Sequence, residues 1–370
     1  LIVALKYWEL FIMLFAIVGF YFNNLYLLLL VLFGLGTQSA FFGPLKYSIL
    51  PQHLNQQELV GGNALIESGT FVAILLGTLG AGFLLSYQFN FPVYIILSIL
   101  LIFFAFIGIL SAYKIPSAPS FNPGLAINLN IFSQSWEIIN LARQTRPVWL
   151  SILGISWFWF IGASLLAQFP ILVKSVLNAP PGVVSLFLLV FSLGIAIGSI
   201  LCEKMSGHKI EIGLVPFGSI GMTIFALDLY FSLTALAPLM NQENFRSIVA
   251  PHFSSTTQFI LDPRTHRILL DLFLLSIFGG FFIVPLYALV QSRSQPAHRS
   301  QIIGANNIIN ALFMVFSAII AVIASLAGYT TLQFILFIAL CNLIVAVYIY
   351  SLVPEFLMRF LVWIITHSIY

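Results

Sequence analysis

Glu67 is the side chain best placed to do chemistry. It stands eight residues into the apolar run Leu59–Thr78 (LVGGNALIESGTFVAILLGT), with Asn63 four residues before it. That spacing puts both on one helical face. At about 1.5 Å per residue the carboxylate lies roughly 12 Å along its helix. Ionised carboxylates are expensive at such depth in a bilayer, so they usually face a cavity or a partner and act there. The plainer alternative is a carboxylate hydrogen-bonded within its own bundle as a link between helices. Asp228 is the second candidate, between Leu227 and Leu229 in the apolar run Ile212–Leu236, with no basic residue near in sequence. It is protonated, paired with a distant helix, or near the outer interface. Asn306, Asn307 and Asn310 form a polar strip on a later apolar run. Such amides either tie helices together or line a cavity opposite Glu67. Glu67, Asn63 and Asn310 together are expected to form one polar patch able to receive a cationic amine.

Smaller signals accompany these. Lys6 and Glu9, at i and i+3, suit an intrahelical ion pair at an interface. Gln168 interrupts its apolar run beside Phe169 and Pro170, and the proline predicts a kink, as a gate or as packing. The glycines within Gly77–Gly82 and Gly194–Gly198 predict close helix packing, which a rocking interface between two halves also needs.

Other chemistries lack their residues. There is no nucleophile–base pair, phosphate-cradling loop or metal motif in the sequence. His53, His208, His252, His266, His298 and His367 are scattered through loops and ends and read as solvated. Cys202 and Cys341 lie far apart in or beside apolar runs, which argues against a disulfide or a zinc site. The chain therefore reads as no enzyme and as needing no cofactor. A net charge of +3, spread over short loops, leaves no face for nucleic acid.

The elements that must hold these residues are membrane helices. Hydrophobic residues make up 61% and charged residues 7% of the chain, and mean hydropathy is +1.07. Soluble domains carry about 25% charge, so this is a polytopic membrane protein. A span needs roughly 20 apolar residues. Ten are expected: Tyr7–Phe22, Leu25–Gly43, Leu59–Tyr87, Phe91–Tyr113, Val148–Val173, Val183–Cys202, Ile212–Leu236, Ile268–Val290, Ile302–Ala327 and Thr330–Val353. Asn23–Asn24, Gln88–Asn90 and Gly328–Tyr329 read as tight turns. Lys46, Lys114, Arg143, Arg146, Lys204, Lys209, Arg293, Arg299 and Arg359 fall on one side. Lys174, Arg246, Arg264 and Arg267 fall on the other. The richer side is expected in the cytoplasm, with the C-terminus.

The two parts of the chain repeat each other. Gly61, Asn63 and Glu67 align with Gly304, Asn306 and Asn310, each 243 residues on, and Phe41–Leu45 matches Phe282–Leu286, 241 residues on. Repeats pointing the same way mark a transporter built from two parallel halves. Three spans precede the Pro285 span in its half, but one precedes the Pro44 span. With Leu1 as the first residue, this predicts a piece of a twelve-helix bundle lacking two early helices. The expected division is 1–113 as a four-helix remnant of the first half and 114–147 as a central cytoplasmic linker. Residues 148–353 form a six-helix second half. Residues 354–370 form an interfacial amphipathic helix, or the junction to a further domain. Ile131–Arg143 in the linker reads as amphipathic, and Asn241–Arg267 as an outer loop.

Two parallel halves, a long central loop and the turn Gly198–Lys209 (GSILCEKMSGHK) resemble the major facilitator superfamily. Cys202 stands where that family's loop carries Asp. The stretches Phe42–Pro51 and Glu58–Glu67 are similar to the lysophospholipid transporters of Gram-negative inner membranes, most of all the branch fused to a glycerophospholipid acyltransferase and an acyl-carrier-protein ligase. Val353–Phe360 looks like the junction into that acyltransferase. The resemblance implies an all-α, major-facilitator-like bundle in the bacterial inner membrane. It implies that lysophospholipid is moved for re-acylation, with Lys46, Asn63 and Glu67 as matched polar positions. The acyltransferase's His and Asp four residues apart are absent from this chain. The 37 Phe residues suit a lipid-handling cleft and equally a lipid-facing surface. Two other readings stay open: proton-coupled export of small amphipaths, with Glu67 or Asp228 titrating, and a membrane anchor for a fused acyltransferase.

Overall fold

The computed structural model describes residues 1–86, 92–119, 130–207, 209–241 and 253–352, with Met358, Val362, Ile365 and Thr366. The expected turn Gln88–Asn90, part of the linker, His208, Arg246, His252, and Arg359 and His367 of the C-terminal segment lie outside the described residues. Every regular element among the described residues is helical. The first group comprises α1 (Ile2–Tyr21), α2 (Leu25–Ser48), α3 (Leu50–His53), α4 (Leu59–Ser86), α5 (Val93–Tyr113) and α6 (Ile131–Arg143). The second comprises α7 (Arg146–Ile171), α8 (Gly182–Met205), α9 (Leu214–Asn241), α10 (Thr256–Leu261), α11 (Pro263–Arg293), α12 (Arg299–Leu326) and α13 (Thr331–Leu352). Ten of these are long and apolar enough to cross a membrane, one for each expected span.

Local chemistry sets the ends. Asn23 and Gly328 take positive φ, at 47° and 81°, as their tight turns require. Asn24 then caps α2, its side chain accepting from Leu27 N at 3.1 Å. Helix α7 runs through Pro170 to Ile171 and passes directly into a π-helical turn, Leu172–Val176. Helix α11 begins five residues earlier than hydropathy suggests. Asp262 caps it, accepting from Arg264 N at 2.9 Å, and Pro263 occupies the first turn. Arg264 and Arg267 in that turn depress the local hydropathy and hide the start.

The repeat is visible in the packing. Helix α2 packs against α12, and α11 packs against α4. The Pro44 helix thus meets the helix of Asn306 and Asn310, and the Pro285 helix meets that of Asn63 and Glu67, as a pseudo-twofold between parallel halves requires. One continuous core runs through α7, α8, α9, α11, α12 and α13. It also takes in Tyr47 of α2 and Leu59, Val60, Ala64 and Phe71 of α4. Ile12, Ala16 and Val31 of α1 and α2 form a separate small cluster. Helix α4 is therefore held chiefly across the seam, most extensively by α8. Helix α6 is amphipathic as expected: Ala142 is buried, Ile138 approaches Gly304 of α12, and Phe132 and Trp136 are exposed.

The glycine expectations divide. Gly194 and Gly198 do pack closely, but against α11 within the second half and away from the seam. A β-carbon on Gly198 would fall 2.2 Å from Ile277 O, and one on Gly280 would fall 2.5 Å from Ser199 N. Among the described residues nothing lies within 4 Å of a β-carbon placed on Gly77, Gly80 or Gly82, so the close packing expected of them is not seen there. Overpacking a close backbone contact costs about 1–3 kcal/mol. Gly198→Ala should lower the thermal unfolding midpoint of the detergent-solubilised protein by several degrees. Gly77→Ala, with room for its methyl, should leave the midpoint unchanged or raised.

Candidate functional site

Five helices bring polar groups together where the halves meet. Glu67 of α4 is fully buried. The Tyr47 hydroxyl, on α2, donates a short hydrogen bond to its Oε1. Tyr47 in turn stacks on Tyr287 of α11, with ring centroids 4.4 Å apart and planes within 6°. Trp159 of α7 donates its indole N–H to the Tyr287 hydroxyl at 3.3 Å, and its ring stacks on Phe71 of α4 at 6.4 Å. Asn306 of α12 stands beside the Tyr287 hydroxyl. Glu67 Oε2, Asn306 Nδ2 and Asn306 Oδ1 are all buried, and none completes a hydrogen bond. A buried polar group left unbonded is costly, and three such atoms belong to this node.

A second set of contacts fastens the seam one turn away. Asn63 Nδ2 donates to Gln291 Oε1 at 2.7 Å, and Gln291 Nε2 donates back to Asn63 Oδ1 at 2.9 Å. Asn63 Nδ2 also donates to Leu59 O at 2.8 Å, and Gln291 Nε2 to Tyr47 O at 3.2 Å. This closed amide pair joins α4 to α11. Nearby, a β-carbon on Gly61 would fall 2.6 Å from Glu203 Oε1 of α8, and one on Gly43 would fall 2.5 Å from Asn307 Nδ2 of α12. Ser68 donates to Ala196 O at 2.9 Å. These contacts occupy the first half of α4, whereas its glycines from Gly77 onward meet no described neighbour within 4 Å of a β-carbon.

The expected residues thus take different places. Glu67 and Asn306 belong to one node. Asn63, on the same face of α4, is engaged by Gln291. Asn310 turns to α7, where Ser156 Oγ donates to its Oδ1 at 2.7 Å. Lys46 lies in the α2–α4 seam within electrostatic reach of Glu67, and its Nζ donates to Thr70 Oγ1 at 3.2 Å. Asp228 is remote from all of these and is paired with Arg267 of α11, whose Nε donates to Oδ2 at 3.0 Å. Beside that pair, Asp271 is buried and accepts from Ser232 Oγ at 2.9 Å. Lys6 and Glu9 pair at 2.7 Å as expected, and Gln38 of α2 also donates to Glu9, at 3.0 Å.

Tyr47, Tyr287, Trp159 and Gln291 were not singled out from the sequence. An aromatic hydroxyl or indole in an apolar span is ordinary, and only the crossing of helices gives it a partner. Asp271 carried the same in-span signal as Asp228. The Asn63–Gln291 pair is testable as a unit. Interhelical side-chain hydrogen bonds in membrane proteins average about 0.6 kcal/mol and reach about 1.7. A double-mutant cycle of Asn63→Ala and Gln291→Ala, read by thermal unfolding, should give a coupling of about 0.5–1.5 kcal/mol. Strict additivity would show that the amide pair does not fasten the seam.

Comparison with known proteins places this arrangement in a lineage. The lysophospholipid transporter of Klebsiella pneumoniae is 27% identical over 288 residues, covering 74% of this chain and 59% of that protein. The lysophospholipid transporter of Escherichia coli is 25% identical over 290 residues, with the same coverage. The chain thus spans less than two thirds of the length of these curated relatives. Among solved structures, the fucose:proton symporter of E. coli superposes with a TM-score of 0.60 at 13% identity, covering 94% of this chain and 82% of that one. A bacterial homologue of the iron transporter ferroportin in an outward-facing state gives 0.54 at 17% identity, covering 98% and 83%. These two are likenesses of fold. A family model described as Major Facilitator Superfamily matches residues 8–316, and the chain belongs to that superfamily.

Proposed function

We propose that the protein moves lysophospholipids across, or into the inner leaflet of, the bacterial inner membrane, where they are re-acylated. The observation that carries this reading is Glu67, a fully buried carboxylate at the seam with one oxygen unbonded. A zwitterionic headgroup brings an ammonium to such an oxygen as a charge-assisted partner. The relatives named for lysophospholipid supply the substrate class. The Lys and Arg distribution supports a cytoplasmic C-terminus. It also puts the Asn63–Gln291 end of the seam on the cytoplasmic side. The conformation is then closed toward the cytoplasm, and the later glycines of α4 lie toward the outside.

In this reading the chain divides at 113, 147 and 353 into a first-half bundle, a cytoplasmic linker, a second-half bundle and a C-terminal segment. That last segment lies at the membrane interface or leads into an associated acyltransferase. Transport proceeds by alternating exposure of the seam or by a lateral lipid path between the halves. The arriving amine pairs with the open Glu67 Oε2, draws the carboxylate away from the Tyr47 hydroxyl on Oε1, and frees the Tyr47–Tyr287 stack to separate. A hydrogen bond to a charged group contributes about 1.5–3 kcal/mol. Glu67→Gln should therefore lower uptake of labelled lysophosphatidylethanolamine into spheroplasts about 10- to 100-fold, with a normal amount of folded protein. Unchanged uptake, or simple loss of the folded protein, would reduce Glu67 to a link between helices.

A further inference from the structure

Lys46 is a cation that feels the Glu67 carboxylate but makes no direct ion pair with it. Its ammonium is half-buried between α2 and α4, over the Tyr47 ring at 4.9 Å from the centroid. It carries three N–H donors. One reaches Thr70 Oγ1 at 3.2 Å, a neutral acceptor whose own hydrogen is directed to Ile66 O at 2.7 Å. Among the described residues no carboxylate lies within ion-pairing distance of Lys46 Nζ. Lys6 is the contrast: its ammonium is matched at 2.7 Å by Glu9. Lys46 lies in the last turn of α2, and two of its three donors have no acceptor among the described residues.

We propose that Lys46 is the phosphate-binding residue of the substrate site, receiving the lipid phosphodiester while Glu67 takes a headgroup amine. The inference rests on the lysophospholipid reading above and assigns the headgroup's second charge. Thr70, which orients the ammonium, follows Glu67 by three residues, about 4.5 Å of helical rise. Cation and carboxylate are thus offset along α4 on the scale of the two-carbon linker between phosphate and amine in an ethanolamine headgroup. The phosphodiester is common to all lysophospholipids, whereas the amine is not. The two residues therefore have separable effects on headgroup preference.

The test is equilibrium binding of radiolabelled lysophosphatidylethanolamine and lysophosphatidylglycerol to the protein in lipid nanodiscs. Lys46→Met should weaken both lipids about tenfold or more, and to a similar extent. Lys46→Arg should retain most of the affinity for both. Glu67→Gln should weaken the ethanolamine lipid much more than the glycerol lipid. Lys46→Gln replaces Lys46→Met if the latter is not monodisperse. Native affinity in the Lys46 variants for both lipids overturns the proposal. So does a loss confined to the ethanolamine lipid, which would mean that Lys46 acts only through Glu67. Binding of inorganic phosphate alone as tightly as either lipid, lost in Lys46→Met, assigns the residue to a free anion and also overturns it. Failure of the native protein to bind either lipid defeats the lysophospholipid reading itself and is distinguishable from all of these.

Discussion

A carboxylate withdrawn from water must find a partner, and at Glu67 that partner comes from another helix. The Tyr47 hydroxyl reaches it from α2, and Tyr47 is held by its stack on Tyr287 of α11. Tyr287 is steadied by Trp159 of α7. The requirement to solvate one carboxylate oxygen therefore fixes the relative position of elements from both halves. Helix α4 also shares the core of the second half, where Ser68 bonds Ala196 O of α8. The other oxygen is left unbonded, and in the proposed function that oxygen receives the ligand.

The two kinds of helix contact in the bundle differ in character. Within the second half, α8 and α11 meet backbone to backbone at Gly198 and Gly280, with no room for a methyl group. Such a contact is rigid. Across the seam, contact is made largely by side chains: the Asn63–Gln291 amide pair, the Tyr47–Tyr287 stack and the Ser68 hydroxyl on Ala196 O. Each is individually modest in a membrane. In the proposed function the bundle parts along the seam while its second half moves as a unit. The cluster of Asp228, Arg267, Asp271 and Ser232 joins α9 to α11 within that half, so it moves with it.

Much of this was readable from residue order. Ten apolar runs gave ten helices. The matched Pro44 and Pro285 spans indicated two parallel halves, visible as the reciprocal packing of α2 on α12 and α11 on α4. Glu67 and Asn63 stood out because charge and amide are rare in apolar runs. Their partners did not, because partner choice depends on which helix crosses where. The repeat aligns Glu67 with Asn310. The pseudo-twofold, however, carries Asn306 to the Tyr287 hydroxyl and turns Asn310 to Ser156. Asp228 looked isolated because Arg267 lies 39 residues away. The glycines of α4 and α8 looked alike in sequence, and only the path of the neighbouring helix separates open space from a backbone contact.

The central claim is that the Glu67 node is where a headgroup amine is received. A structure of the protein bound to lysophosphatidylethanolamine, resolved well enough to place the headgroup, examines it most directly. The account predicts the amine nitrogen about 2.7–2.9 Å from a Glu67 oxygen, with the Tyr47 hydroxyl displaced from that carboxylate. A headgroup bound elsewhere, with Tyr47 still donating to Glu67, would contradict it.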